Sequence, residues 1–173
     1  LAVSTFLATI HPVPLAGAHI DLAVPRGRLR HQDDLQTVPS TAAGLTIRAD
    51  DMTLDATINA AGRTVTLISN TGSDTIDIGS TGASAANRLE LSNAELQRIA
   101  AATLVIGSGA AGNIAFVTAD VTPGSNSGAN VTTVSVITGG TITATAAGII
   151  ETNLALTAGG TINFTDSNTD VTK

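Results

Sequence analysis

Cysteine is absent from the 173 residues, as are tryptophan and tyrosine, and three phenylalanines are the only aromatic residues. Without cysteine no disulfide framework can hold the fold, so side-chain packing has to do so. Aromatics at 2% leave few rings to stack on sugars, which counts against a polysaccharide-cleaving groove. Charge is scarce too: 13% of residues are Asp, Glu, Lys or Arg, against roughly 25% in typical globular domains. The net charge is −6, and the basic residues are scattered apart from Arg26, Arg28 and Arg30. No basic groove interleaved with aromatics exists, which excludes nucleic-acid binding. No run of about eighteen apolar residues exists either, so no transmembrane helix is expected. The opening stretch Leu1 to Ile10 is apolar but has neither a basic leader nor a clear cleavage site, unlike a signal peptide.

What is present is 43% apolar residues together with abundant Ala, Thr, Gly, Ser and Asn. That is too rich in Val, Ile and Leu for a disordered chain of such low charge. One phrase occurs twice, twenty residues apart: Gly139-Gly140-Thr141-Ile142 and Gly159-Gly160-Thr161-Ile162. Around it Val134 and Val136 answer to Leu154 and Leu156, Ala144 to Phe164, and Thr145 to Thr165. A period near twenty marks a stacked repeat whose units cannot bury an apolar face alone.

From Leu45 onward apolar residues pair at i and i+2: Leu45/Ile47, Met52/Leu54, Val65/Leu67, Ile76/Ile78, Leu89/Leu91, Leu104/Ile106, Ile114/Phe116, Val134/Val136, Leu154/Leu156 and Ile162/Phe164. Such pairs put both side chains on one face of a strand. Gly, Asn, Asp and Ser between the pairs favour turns. From Val134 the intervals run eight, twelve and eight, which suits a coil with unequal corners better than an even hairpin meander. The fold expected is all-β, a right-handed parallel β-helix (β-solenoid) of about five to seven coils, with a β-sandwich as the alternative. Asp at Ile142 or Ile162 is expected to unfold local coils.

Ser92 and Glu95 form a capping box, Leu91 and Leu96 stand at hydrophobic-staple positions, and Leu96, Ile99 and Ala100 follow at helical spacing. This predicts one short corner helix near residues 92–101, of two to three turns. Residues 1–40 differ from the rest, with four of the five prolines (Pro12, Pro14, Pro25, Pro39), all three histidines and the Arg cluster. They read as an irregular arm with strands at Val3–Ile10 and His19–Val24, and residues 41–173 as the β-solenoid repeats. The chain opens on Leu1 and stops at Lys173 as a strand-like phrase finishes, so a fragment is expected.

The run from Leu89 to Ile99, LELSNAELQRI, followed by Thr103-Leu104-Val105-Ile106-Gly107, resembles the repeats of large bacterial surface proteins of the filamentous-haemagglutinin type. The two Gly-Gly-Thr-Ile phrases and the strand entry Gly112-Asn113-Ile114 are similar to that family as well, and the resemblance spans about residues 42–173. It implies a β-helix exported by a two-partner or autotransporter route, through an outer-membrane transporter, to a secreted or Gram-negative cell-surface location. It also implies adhesion, with host or neighbouring-cell glycans or matrix proteins as partners, and it brings no catalytic residues.

Several residue groups are of types that could carry chemistry. Asp50, Asp51 and Asp55 cluster near Arg48 and Arg63, and a polysaccharide lyase or hydrolase would need such carboxylates to converge on one cleft. Solvated turn residues are the plainer reading, and clustering of Asp50, Asp51, Asp55 and Arg48 in one groove would favour the enzyme. Asp74 and Asp77 stand three apart, which on a strand sends them to opposite faces. The segment Gly72 to Asp77 echoes a calcium-binding repeat once, without the tandem that site needs. His11, His19 and His31 have no metal-ligand spacing. Arg26 to Arg30 reads as a solvated loop rather than a patch for acidic lipid or glycan. Gly107-Ser108-Gly109-Ala110-Ala111-Gly112 fits a dinucleotide fingerprint, but a strand is expected after it where that site needs a helix. Thr64/Thr66 and Thr141/Thr143/Thr145 shift position from unit to unit, unlike the flat arrays of ice-binding solenoids. No catalytic, cofactor or metal residue is therefore assigned, and the chain is expected to be no enzyme and to need no cofactor. The expected function is a structural and adhesive repeat region, with a polysaccharide-active enzyme or a ligand-free spacer as alternatives.

Overall fold

A computed structural model of the chain describes residues 5–6, 19–23, 28–31, 44–81, 86–118, 120–127, 131–145, 147–151, 153–165 and 170–171, the segments before residue 44 as backbone only. The chain forms β1 (Thr5–Phe6), β2 (His19–Ala23) and β3 (Arg28–His31), then β4 (Gly44–Arg48) and β5 (Asp51–Leu54), then the long β6 (Ile58–Ile68) and β7 (Thr75–Ile78). Next come β8 (Arg88–Leu91), the helix α1 (Asn93–Leu96), β9 (Ile99–Ser108) and β10 (Ile114–Phe116). The last are β11 (Thr133–Thr138), β12 (Ile142–Ala144), β13 (Ile150–Glu151), β14 (Asn153–Ala158), β15 (Ile162–Phe164) and β16 (Asp170–Val171).

Two large sheets run side by side. One has six strands in the order β2-β4-β6-β9-β11-β14, and the other five in the order β8-β7-β10-β12-β15. Smaller sheets join β1-β3-β5 and β13-β16. All the strand pairs are parallel. A sandwich built of hairpins would be antiparallel. Here strands that follow one another along the chain belong to different sheets, except β7 and β8, which pair with each other, and the strands stack on counterparts from other coils. The architecture is a parallel β-solenoid.

Register explains why the paired apolar residues recur. In the six-stranded sheet Leu45, Val65, Leu104, Val134 and Leu154 occupy one ladder, and Ile47, Leu67, Ile106, Val136 and Leu156 the next. In the five-stranded sheet Leu89, Ile76, Ile114, Ile142 and Ile162 align, as do Leu91, Ile78, Phe116, Ala144 and Phe164. These ladders face inward, and all of their members before Leu154 are buried. Each fully buried Leu, Ile or Val contributes about 1.5–3 kcal/mol relative to leaving it exposed. The core is thus a stack of like on like rather than one central nucleus. Within the segment expected as an irregular arm, β2 lies parallel to β4 and β3 parallel to β5, with Ile20 opposite Leu45 and Leu29 opposite Met52. The remainder of the strand expected at Val3–Ile10, and Val24, lie outside the described residues.

The repeated glycines serve close approach. A Cβ on Gly139 would stand 2.5 Å from the Gly109 carbonyl oxygen, and one on Gly159 would strike the Gly139 carbonyl. Successive coils turn this corner too tightly for any side chain. Thr138 completes the corner, its buried hydroxyl donating to the Ala111 carbonyl (3.0 Å) and accepting from the Gly140 amide (2.9 Å).

Coil length varies where the sequence is less regular. Equivalent positions Gly44, Thr64, Thr103, Thr133 and Asn153 stand 20, 39, 30 and 20 residues apart. The 39-residue step holds β8 and α1. Instead of advancing along the rod after β7, the chain lays β8 on the other side of β7, toward β5. The 30-residue step carries a loop that closes the end of α1. Amides of Gly124 and Asn126 donate to the carbonyls of Leu96 (2.9 Å) and Gln97 (3.0 Å), meeting acceptors that a helix terminus leaves without partners.

The helix itself is shorter than its spacing suggests. The capping box is present, with the Glu95 amide donating to Ser92 Oγ (3.3 Å) and the Ser92 amide to Glu95 Oε2 (2.8 Å). Leu91 and Leu96 are both buried. Yet α1 ends at Leu96, and Ile99-Ala100-Ala101 opens β9 by pairing with Ile58-Asn59-Ala60. A parallel ladder with a strand 41 residues away outweighs the weak preference for a further helical turn.

The inward ladders end at β14 and β15, which lie at the edges of their sheets. Leu154, Leu156 and Phe164 are only partly buried, although Phe164 meets Phe116 edge-on at 5.3 Å. Ile162 is 44% exposed where its ladder neighbour Ile142 is fully buried. The two isoleucines, equivalent in the repeat, are therefore unequal in the fold. Ile142→Asp should cost more than about 4 kcal/mol, the range of an uncompensated buried charge. Ile162→Asp should cost about 1 kcal/mol, the loss of a half-buried apolar side chain. Thermal unfolding of the two variants checks this ordering, and equal losses would count against the placement of Ile162.

Candidate functional site

The displaced strand β8 and helix α1 leave a groove beside β5, with a volume of about 300 Å³. Asp51, Asp55, Glu90, Glu95 and Arg98 line it, with Thr53 and Ser80 among its neutral groups. Two members of the aspartate cluster, Asp51 and Asp55, thus meet at one groove, while Asp50, Arg48 and Arg63 do not line it. Glu90, Glu95 and Arg98 were not among the candidates. Their signal was nevertheless in the sequence: the alternation Leu89-Glu90-Leu91 turns Glu90 away from the core, and the capping box fixes Glu95 at the helix start.

Much of this charge already has structural work. Glu95 Oε2 accepts from the Ser92 hydroxyl (2.7 Å) as well as its amide, and Oε1 accepts from the Leu54 amide (3.1 Å). Arg98 donates through Nη1 to the Leu54 carbonyl (2.8 Å). Together Glu95 and Arg98 satisfy both backbone groups of the last residue of β5, as a neighbouring strand otherwise would. Glu90 Oε1 accepts from the Ser80 hydroxyl (3.2 Å), whereas Oε2 is buried and finds no hydrogen-bond partner among the described residues. Asp55 stands exposed at the rim. Three carboxylates, Asp51, Asp55 and Glu90, line the groove beside the Arg98 guanidinium, which is engaged with backbone. Such a lining favours hydroxyl-rich or cationic ligands over anions.

Asp50 is drawn elsewhere. Its Oδ1 accepts from the Thr71 amide (2.8 Å), tying the corner after β4 to the corner before β7. There it meets Asp74, which is 3% exposed. Burial pushes the Asp74 carboxyl above the usual aspartate range, and the charge of Asp50 and a side-chain hydrogen bond between the two add to the rise. The Asp74 carbonyl accepts from the Gly112 amide of the next coil (2.9 Å), so this pair sits where three coils meet. Asp77 is separate, forming an ion pair with Arg88 at 2.7 Å across β7 and β8.

The other sequence candidates are dispersed. Gly107–Gly112 turns between β9 and β10, and a strand does follow it, so no helix terminus is available for a dinucleotide. The outward position of the five-stranded sheet reads Glu90, Asp77, Ala115, Thr143, Asn163, which is not a threonine array. Among the described residues no group of three or more His, Asp or Glu side chains is arranged to hold a metal ion. His19, Arg28, Arg30 and His31 are described as backbone alone, and His11 and Arg26 lie outside the described residues. No known protein family matches the chain, and neither any curated protein nor any solved structure is significantly similar to it.

Two outcomes follow from these contacts. Glu95→Ala leaves the Leu54 amide and the Ser92 cap without their acceptor and should cost about 1–3 kcal/mol, whereas Glu95→Gln, which keeps an oxygen, should cost less. Denaturant unfolding of the two variants measures the difference. For Asp74 the folded state favours the protonated form, so its stabilising effect is complete below the ordinary aspartate range and is lost as pH rises through the raised value. Asp74→Asn should therefore raise the melting temperature at pH 7 and change it little at pH 3. A variant that destabilises equally at both values would contradict the raised carboxyl of the buried Asp74.

Proposed function

We infer that this chain is a structural and adhesive repeat region of a large secreted or cell-surface bacterial protein, acting as a rod and as a contact surface. The observation that carries the reading is the six-stranded parallel sheet, in which every coil offers the same outward positions at a rise of about 4.8 Å. A rod of this kind extends in one dimension and repeats a lateral face, which suits weak contacts made many times over. The resemblance of Leu89–Gly107 to filamentous-haemagglutinin-type repeats supports the same reading, with export through an outer-membrane transporter. Glycans or matrix proteins of a host or neighbouring cell are the partners this reading proposes.

The second reading, a polysaccharide-active enzyme, draws on Asp51, Asp55 and Glu90 facing one groove. Two carboxylates at a cleft are the minimum that glycoside hydrolysis requires. Among the described residues no aromatic side chain lines this groove to hold a sugar ring, so the rod reading is preferred.

Binding of the whole chain to an array of glycans and matrix proteins tests the proposal. The rod reading predicts saturable binding that soluble ligand competes away and that survives Asp55→Asn. A folded chain that binds nothing would overturn the adhesive part. Release of reducing ends from a polysaccharide, lost in Asp55→Asn, would move the function to the groove.

A further inference from the structure

The groove beside β5 is a gap between two stacks of strands inside the rod. The stacks β1-β3-β5 and β8-β7-β10-β12-β15 meet at β5 and β8, which lie against each other yet share no ladder. Beneath the gap the interior is closed, since Met52, Leu54, Leu89 and Leu91 are buried members of one core. Main-chain groups face the gap from both walls. In a parallel sheet the backbone groups of alternate residues point to the same side of a strand. Those of Leu54 are met by Glu95 and Arg98, so those of Met52, two residues earlier, face the same way. Across the gap, the carbonyls of Asn87 and Leu91 accept from the amides of Thr75 and Gly79. The backbone of Glu90, one position out of step, therefore points away from β7 and toward β5.

The side chains add charge of one sign. Asp51, Asp55, Glu90 and Glu95 line the gap, and the Arg98 guanidinium beside them is engaged with the Leu54 carbonyl. Glu90 Oε2 is buried and has no hydrogen-bond partner among the described residues, a loss that a donor from a ligand would relieve. Among the described residues no three such side chains converge as a metal ion requires. The charge is spread along a groove, which suits a cation whose N–H donors are spread too. A volume of about 300 Å³ is at the small end of ligand sites, room for one long side chain and the backbone that carries it. We propose that the gap binds an extended polypeptide segment bearing a lysine or arginine side chain. The segment's backbone pairs with Met52 at the β5 edge, as in strand addition, and its cationic side chain lies among the carboxylates of Glu90 and Asp55. Glu95 and Arg98 already hold Leu54 as a strand would, so they mark where this pairing stops. This inference concerns the gap alone and stands whether or not the lateral face of the rod binds a receptor.

Fluorescence anisotropy of a labelled pentapeptide of alternating threonine and lysine, titrated with the whole chain, tests this. Saturable binding that weakens in high salt is expected. Glu90→Gln removes one charge-assisted hydrogen bond and should weaken binding about tenfold. Asp55 is exposed at the rim, so Asp55→Asn should leave the circular dichroism spectrum unchanged and weaken binding about two- to fivefold. The same peptide with its backbone amides methylated keeps its charge but cannot pair as a strand, and it should bind at least about tenfold more weakly. Putrescine, a free diamine, serves as the probe without a backbone and should bind more weakly than the unmodified peptide. A folded chain that ignores the lysine peptide would overturn the proposal, as would binding indifferent to Glu90→Gln. Equal binding of the methylated peptide or of putrescine would overturn it too, because charge alone would then suffice.

Discussion

Everything in this molecule depends on the parallel backbone ladder being in register between coils. The side-chain period of a strand is two, so a slip of one residue would turn every inward Leu, Ile and Val to solvent and bring Thr, Ser and Asp inside. Register is therefore held by burial, and burial by register. The ladders Leu45 to Leu154 and Ile47 to Leu156 express this mutual dependence across coils of 20, 39, 30 and 20 residues. Chain length between ladder positions is free to vary while the positions themselves are not. That is why long steps cost the fold little: their extra residues leave the ladder and return to it.

The departures from the plain repeat concentrate around one neighbourhood, and they explain one another. β8 turns back toward β5, α1 follows, and the loop of the next coil closes the helix through Gly124, Asn126 and Thr122. Where β5 ends, Glu95 and Arg98 take the place of a pairing strand at Leu54. The groove is what remains between these parts. Its acidic lining is thus partly a by-product of capping, through Glu95, and it includes Asp51, Asp55 and Glu90 as well. A second concentration of acid, Asp50 with Asp74, lies at a junction of three coils, where burial and the neighbouring charge raise the Asp74 carboxyl above the usual aspartate range. Both features arise where coils of unequal length must be joined.

How much of this was legible in the sequence follows from the range of each interaction. The i, i+2 pairs and the twenty-residue period are local, and from them the solenoid could be read against a sandwich. The capping box at Ser92 and Glu95 is local too, and it marked where the helix starts. Its end was not legible, because Ile99–Ala101 becomes strand only when Ile58–Ala60 lies alongside. Nor was the groove, since Asp51 and Glu90 are brought together by the backward placement of β8, which no periodicity announces. The aspartates Asp50 and Asp51 are adjacent in sequence yet serve different corners. The unequal fates of Ile142 and Ile162, identical in their phrases, come from position in the stack alone.

The most direct test of the stacking is the pattern of backbone contacts around Val134, read by nuclear Overhauser effects. A solenoid predicts parallel cross-strand contacts from Val134 to Leu104 on one side and to Leu154 on the other, thirty and twenty residues away. Antiparallel contacts between the strands flanking Gly139-Gly140, joining Val136 to Ile142, would instead describe a hairpin and would contradict the fold on which all else rests.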